Sequence, residues 1–413
     1  MAELLRIEEP VRSALPQPEW RAFLELGFRP LYLAGSVWAA VSVALWVYAP
    51  HLLTGPLAGV VWHAHEMLWG FIATIAVGFL LTAGANWTGI NPLDRKALGA
   101  LAVLWLLARA GYLMPDAAGF WLGVLSETIF FGSAAVALGR AIYSARSRRN
   151  YGVPILVLGL GAANALYLWA VRQGDYALAL QRFHAGLLCM AVVALLVARR
   201  VIPFFAMRAV PGLVIPMHTH SGQWQMGAGL LAIAFLQLGW MPGIGVALAA
   251  AGALALWQVL AWRPWAVRRV PLLWILYVGY TGLGAGLLVA AAHAAGWVPR
   301  LAWPAHVIGV AGFSVLIIGM VTRTALGHLG RPLRTDRSML AAYALVVAAA
   351  ALRLLALLPS AFTTGALHAS AAAWILAFAL YLWRFLPMLI RPRIDQAAAR
   401  APMPSPARKR PTP

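Results

Sequence analysis

Seven of the ten histidines in this chain fall near one end of a series of long apolar runs: His51, His63, His65, His184, His293, His306 and His368. If the runs cross a membrane, these seven share one depth in one leaflet. Neutral imidazole is a good ligand for haem iron, copper and zinc, and ionisable side chains at membrane depth are costly and mark function more often than not. The layer therefore predicts a metal or haem site toward the outer surface of a membrane protein. His63 and His65 stand two residues apart, about 200° on a helix, so they point to opposite sides and are poorly placed to chelate one ion together.

Carboxylates accompany the layer. Glu66 follows His65 directly and is expected either to orient a ligating imidazole or to hand on a proton. Glu127 is expected in a structural salt bridge to Arg109 or Arg353. Arg109, Arg172, Arg182, Arg300 and Arg353 are the basic residues near the outer face. Such arginines snorkel to headgroups or pair bidentately with carboxylates such as haem propionates, for which Arg109 and Arg353 are the candidates. Met217-His218-Thr219-His220 is a further, loop-borne set of copper-type donors, and His328 on the inner side lies at a helix end suited to an anion or a lipid phosphate.

The elements that must position these residues are membrane helices. Of 413 residues, 62% are hydrophobic and 11% charged, and the mean hydropathy is +0.78, too apolar for a soluble domain. Apolar runs near 30–52, 59–85, 97–114, 119–143, 151–171, 179–198, 222–240, 242–262, 272–295, 301–325, 338–358 and 361–388 predict an all-α polytopic bundle of about twelve transmembrane helices. Residues 1–29 form an N-terminal segment, 30–390 one transmembrane domain, and 391–413 a basic tail expected to be disordered. The first 29 residues lack the pattern of a cleaved signal peptide.

The net charge of +20 is explained by sorting rather than by nucleic acid. With the N-terminus inside, nearly every loop Lys and Arg falls inside, so both termini are expected in the cytoplasm, facing anionic lipid headgroups. The single cysteine, Cys189, excludes an intrachain disulfide and a covalently attached c-type haem, so any haem is b-type.

Helices 2 and 10 echo each other. Trp62-His63-Ala64-His65 and Trp303-Pro304-Ala305-His306 open them, and glycine follows thirteen residues after each last histidine, at Gly78 and Gly319. Helix 6 carries a weaker echo, Arg182 to Gly186. Histidines placed alike on every fourth helix suggest three four-helix pseudo-repeats. On this basis His65 and His306 are the expected haem ligands, His63 and His184 the copper candidates with the exchanged assignment also open, and His368 a secondary candidate.

Longer strings carry a family resemblance: W-H-A-H-E-M-L-W-G-F (Trp62 to Phe71) and G-F-L-L-T-A-G-A-N-W-T-G (Gly78 to Gly89) on helix 2, A-R-R-V-I-P-F-F (Ala198 to Phe205) on helix 6, and G-M-V-T-R-T-A-L-G-H-L-G-R (Gly319 to Arg331) on helix 10. The chain resembles the NnrS family of bacterial inner-membrane proteins over nearly its whole length. That resemblance implies twelve helices, haem and copper, and a role in denitrification and the response to nitric oxide; it implies no catalytic residues. Ala83-Gly84-Ala85-Asn86 stands where A-V-P-N is expected. The layout also resembles the catalytic subunit of haem–copper oxidases, with histidines on helices 2, 6 and 10, but helix 7 lacks an adjacent histidine pair and His184 is followed by Leu188 where a tyrosine would stand. The expected function is thus a haem- and copper-containing protein that binds or converts nitric oxide or its metal adducts, with Glu66 as proton donor. The alternatives are a secondary transporter, disfavoured because the ionisable residues lie off the midplane, and a sensor or assembly factor for denitrification enzymes.

Overall fold

In the computed structural model, which describes residues 17–394, the described chain is helical and contains no strand. Twelve long helices follow a single short turn at Trp20–Phe23. They are α1 (Phe28–Tyr48), α2 (Gly59–Thr88), α3 (Arg95–Leu113), α4 (Ala117–Ser144), α5 (Gly152–Arg172) and α6 (Tyr176–Ala209). Then come α7 (Thr219–Leu238), α8 (Met241–Ala261), α9 (Pro271–Ala294), α10 (Ala302–His328), α11 (Arg337–Leu355) and α12 (Thr363–Leu389). Eleven are long and apolar enough to cross a membrane. The exception is α7, whose opening turns carry Ser221, Gln223 and Gln225. It nevertheless runs back along α6, where Gln181 at the start of α6 donates to the Leu236 carbonyl near the end of α7 (2.8 Å). The polytopic helical bundle expected from hydropathy is therefore the observed fold, with α7 as its least apolar member.

The two ends of the described chain meet. The buried Arg29 at the start of α1 donates to the carbonyls of Leu389 (3.0 Å) and Arg391 (2.6 Å), and the Glu19 amide donates to Ile390 O (2.9 Å). An even number of long helices, alternating in direction, places both ends at the same end of the bundle, where these bonds join them. Most of the segments assigned to 1–29 and 391–413, including the expected disordered tail, lies outside the described residues. Aspartates open several helices: Asp116, Asp175 and Asp336 accept from the amides of Gly119, Leu178 and Met339, satisfying first-turn donors that have no helical partner.

Helices α2, α6 and α10 are the most enclosed. Their apolar windows are 83%, 78% and 67% buried, against 61% or less for every other apolar span. Every fourth helix is thus an inner helix, and these three carry His63, His65, His184 and His306. The echo between α2 and α10 is also conformational. Directly after His65 the chain runs as π-helix over Glu66–Ala73, and directly after His306 over Val307–Ser314. Each segment is closed by a hydroxyl reaching back five residues, Thr74 to Trp69 O (3.0 Å) and Ser314 to Gly309 O (2.8 Å). Such segments insert a residue into the helical ladder and cluster at functional sites. The π segment of α10 is packed by a stripe of glycines on α9. A Cβ at Gly282 would lie 2.6 Å from the Ala311 carbonyl carbon, so only glycine allows this approach of backbones.

Candidate functional site

His63 and His65 close one regular α-helical stretch, Gly59–His65, and they face opposite ways as their spacing requires. They open two different sites on either side of α2.

On the His65 side lies a fully buried polar cluster. His65 Nδ1 is 2.9 Å from Glu66 Oε1, and its Nε2 is 3.0 Å from Glu127 Oε2 and 2.9 Å from Asn164 Oδ1. Arg109 of α3 bridges the two carboxylates, giving one nitrogen to each. Trp38 of α1 donates to Glu66 (2.5 Å), while Tyr112 and Asn164 donate to Glu127 (3.1 and 2.9 Å). Five helices thus contribute to one network, α1 to α5. Two carboxylates against one guanidinium leave one negative charge, and buried charge without compensation is expensive. The cluster is electroneutral when it holds one additional proton, and both ring nitrogens of His65 face acceptors, so the imidazole is its natural seat.

On the His63 side lies a mostly apolar cavity of about 280 Å³. His63 of α2, His184 of α6 and His306 of α10 all line it, with Met67 and Arg353. His63 is sandwiched between Trp46 (ring centroids 4.9 Å apart, 10° between planes) and His306 (6.4 Å, 23°). His184 and His306 are held alike: each Nδ1 bonds the carbonyl four residues back, Leu180 at 2.6 Å and Ala302 at 2.7 Å. That bond requires the proton on Nδ1 and leaves Nε2 as a bare lone pair, which is how ligating imidazoles are oriented. His184 Nε2 and His63 Nδ1 are buried without any hydrogen-bond partner. Arg353 has no carboxylate within ion-pair distance among the described residues.

These lone pairs, with the thioether of Met67 and the guanidinium of Arg353, have the donor chemistry that copper or haem iron and a propionate require. Among the described residues no three His, Cys, Asp or Glu side chains stand close enough together to hold one ion, so the histidines surround the cavity rather than close on a point.

The expected site residues divide accordingly. His63, His184, His306 and Arg353 are brought together. The expected haem pair, His65 with His306, is not: both nitrogens of His65 are engaged by the polar cluster, and the ring that stacks on His306 belongs to His63. Arg109 is likewise committed to Glu66 and Glu127 and has no charge to spare for a propionate. Glu127 makes the salt bridge to Arg109 that its position suggested. Glu66 contacts an imidazole as expected, but one turned away from the cavity. His368 is exposed and stacks on Tyr48 (5.6 Å), and His293 bonds the Val298 carbonyl (2.5 Å); neither lines the cavity. Trp38, Tyr112 and Asn164 were not anticipated. The lone Asn164 within an apolar run was the available signal, since an amide at membrane depth needs partners.

One position controls the polar cluster sterically. Gly70 lies in the π segment of α2, and a Cβ there would sit 2.5 Å from Glu66 Oε2 and 2.9 Å from Trp38 Nε1, with Arg109 closer still. Gly70→Ala is expected to displace the ion pair and to lower stability by about 1–3 kcal/mol, the usual cost of overpacking. Thermal unfolding of the purified variant in detergent measures this, and an unchanged midpoint would show that the cluster yields without cost.

The family model described as NnrS protein matches residues 22–393. A comparison with the curated proteins gives no match to the chain.

Proposed function

The chain belongs to the NnrS family, and from that premise we propose that it is a haem b- and copper-containing inner-membrane protein acting in the response to nitric oxide, with the cavity between α2, α6 and α10 as its working site. One observation carries this reading: the three most enclosed helices each turn a histidine into the same apolar cavity, two of them with the tautomer fixed so that the lone pair points away from the backbone. His63, His184 and His306 would hold the metal groups, and Arg353 would meet a haem propionate. Bound there, haem iron and copper supply ligation of nitric oxide and one-electron chemistry.

The rest follows from the chain's own residues. Trp46, Phe71, Phe183 and Trp374 give the cavity apolar walls, which admit a small uncharged molecule partitioned into the bilayer and exclude water. Trp46 fixes the plane of His63. The cluster of His65, Glu66, Glu127 and Arg109 would hold one proton on the far side of α2, seated on His65 beside Glu66 (2.9 Å), so Glu66 is proposed to relay that proton from His65 for any reduction in the cavity. The arginine-rich end, with both ends of the described chain, is proposed to face the cytoplasm, and the histidine end the opposite side.

A deletion strain exposed to nitric oxide under oxygen limitation should grow poorly, and the intact gene should restore growth. A gene carrying His63→Ala, His184→Ala and His306→Ala should not restore it at equal membrane abundance. Full rescue by that triple variant would remove the cavity from the function and leave a transporter or an assembly factor as the reading to pursue.

A further inference from the structure

A second cavity of about 780 Å³ lies toward the opposite end of the bundle. Its walls come mainly from the three inner helices, with Arg149 and Asn150 added from the turn before α5. Phe79 and Trp87 belong to the Gly78–Gly89 string of α2, Arg200 and Phe205 to the Ala198–Phe205 string of α6, and Arg323 and His328 to the Gly319–Arg331 string of α10. The longest distinctive strings in the sequence therefore meet around this space and not only around the histidine cavity.

Its electrostatics are one-sided. Arg149, Arg200 and Arg323 line it, and none of its lining residues is Asp or Glu. Arg323 is 5% exposed, makes no ion pair among the described residues, and leaves its buried Nε without a partner. Its guanidinium lies 3.8 Å from the centre of the Phe205 ring. Arg200 is held in place by Asn150 Oδ1 (2.7 Å) and the Arg149 carbonyl (3.0 Å), both neutral. Guanidinium stays charged in proteins, and a buried charge without a counter-charge is strongly unfavourable. Arg109, by contrast, is answered by two carboxylates. Here the protein supplies none.

We propose that this cavity binds a phosphate oxyanion, with Arg200 and Arg323 as its principal ligands and the aromatic wall taking the apolar part of a phosphate ester. Planar guanidinium matches phosphate bidentately, and the apolar wall suits an anionic phospholipid over a free ion. The proposal is independent of the nitric oxide reading and stands or falls separately from it.

The test uses the full-length protein, delipidated in detergent and examined by native mass spectrometry. Dioctanoyl phosphatidylglycerol, dioctanoyl phosphatidylcholine and inorganic phosphate are the probes. One phosphatidylglycerol per chain should be retained and phosphatidylcholine should not. Arg200→Gln with Arg323→Gln should weaken retention at least about tenfold, the loss expected for a charge-assisted hydrogen bond. Arg208→Gln, outside the cavity lining, should not. Gly327→Phe is the second variant. Position 327 lines the cavity and a Cβ there would meet only Leu333, at 4.0 Å, so the ring can fill the space while every arginine remains, and it too should abolish retention. Arginine-dependent binding of inorganic phosphate without retention of phosphatidylglycerol would support the oxyanion site and assign it to a free phosphate. Equal retention of both lipids, or retention unchanged in Gly327→Phe, would overturn the proposal.

Discussion

Replacing Arg109 with Met should be among the most damaging single changes in this protein. The guanidinium is the permanent cation that bridges Glu66 and Glu127, and all three side chains are buried. Methionine fills similar space but leaves two carboxylates facing each other across His65. Removing one partner of a buried ion pair costs about 3–5 kcal/mol, a large share of the about 5–15 kcal/mol by which a typical fold is stable. Little monodisperse protein should survive size exclusion after mild heating. The compensating variant separates electrostatics from packing: Arg109→Met with Glu66→Gln retains one carboxylate beside His65, a balanced pair, and should regain much of the loss. Coupling of this kind between contacting residues is what a double-mutant cycle measures. If Arg109→Met unfolds no earlier than the parent, the cluster is not the charged network its geometry describes.

Much of this architecture was legible in the chain. Hydropathy alone gave the bundle, and the two-residue spacing of His63 and His65 gave their opposite directions, because a regular helix turns by a fixed angle per residue. What could not be read was rotation around the helix axis beyond that point. The echo of Trp62-His63-Ala64-His65 in Trp303-Pro304-Ala305-His306 aligns His65 with His306 along the chain, yet the side chain that meets His306 across the bundle is His63. The π segments at Glu66–Ala73 and Val307–Ser314 were invisible for a related reason. A change of helical period shows in a sequence only when polar and apolar faces alternate, and these runs are apolar on every face. Glu66 and Glu127 were recognisable as costly residues needing partners, but their joining through Arg109, Asn164 and Tyr112 depends on how five helices pack. In the sequence the second cavity is signalled only by His328 at a helix end; its arginines belong to the charge asymmetry between loops, a property that does not distinguish a headgroup-facing cation from one turned inward.

The contrast between the two histidines of α2 gives the second large effect. His63→Ala combined with His306→Ala should strip haem absorbance and bound copper from the purified protein, because it removes both stacked rings from the cavity. His65→Gln should keep both cofactors while lowering thermal stability, since the glutamine amide can still donate to a carboxylate but lacks the second, opposed N–H donor and the positive charge of a protonated ring. The alignment of the repeated motif leads to the opposite expectation, in which His65 is a ligand and His63 is interchangeable with Pro304. Haem content by pyridine extraction and copper by elemental analysis, each per mole of folded monomer, decide between them. Loss of haem in His65→Gln with retention in the His63 and His306 double variant would return the cofactor to the polar side of α2 and leave the stacked pair as packing. Such an outcome would require His65 to release at least one of its carboxylate partners on loading. Either pattern is informative because the two rings sit on one helix, two residues apart, and differ only in the direction they face.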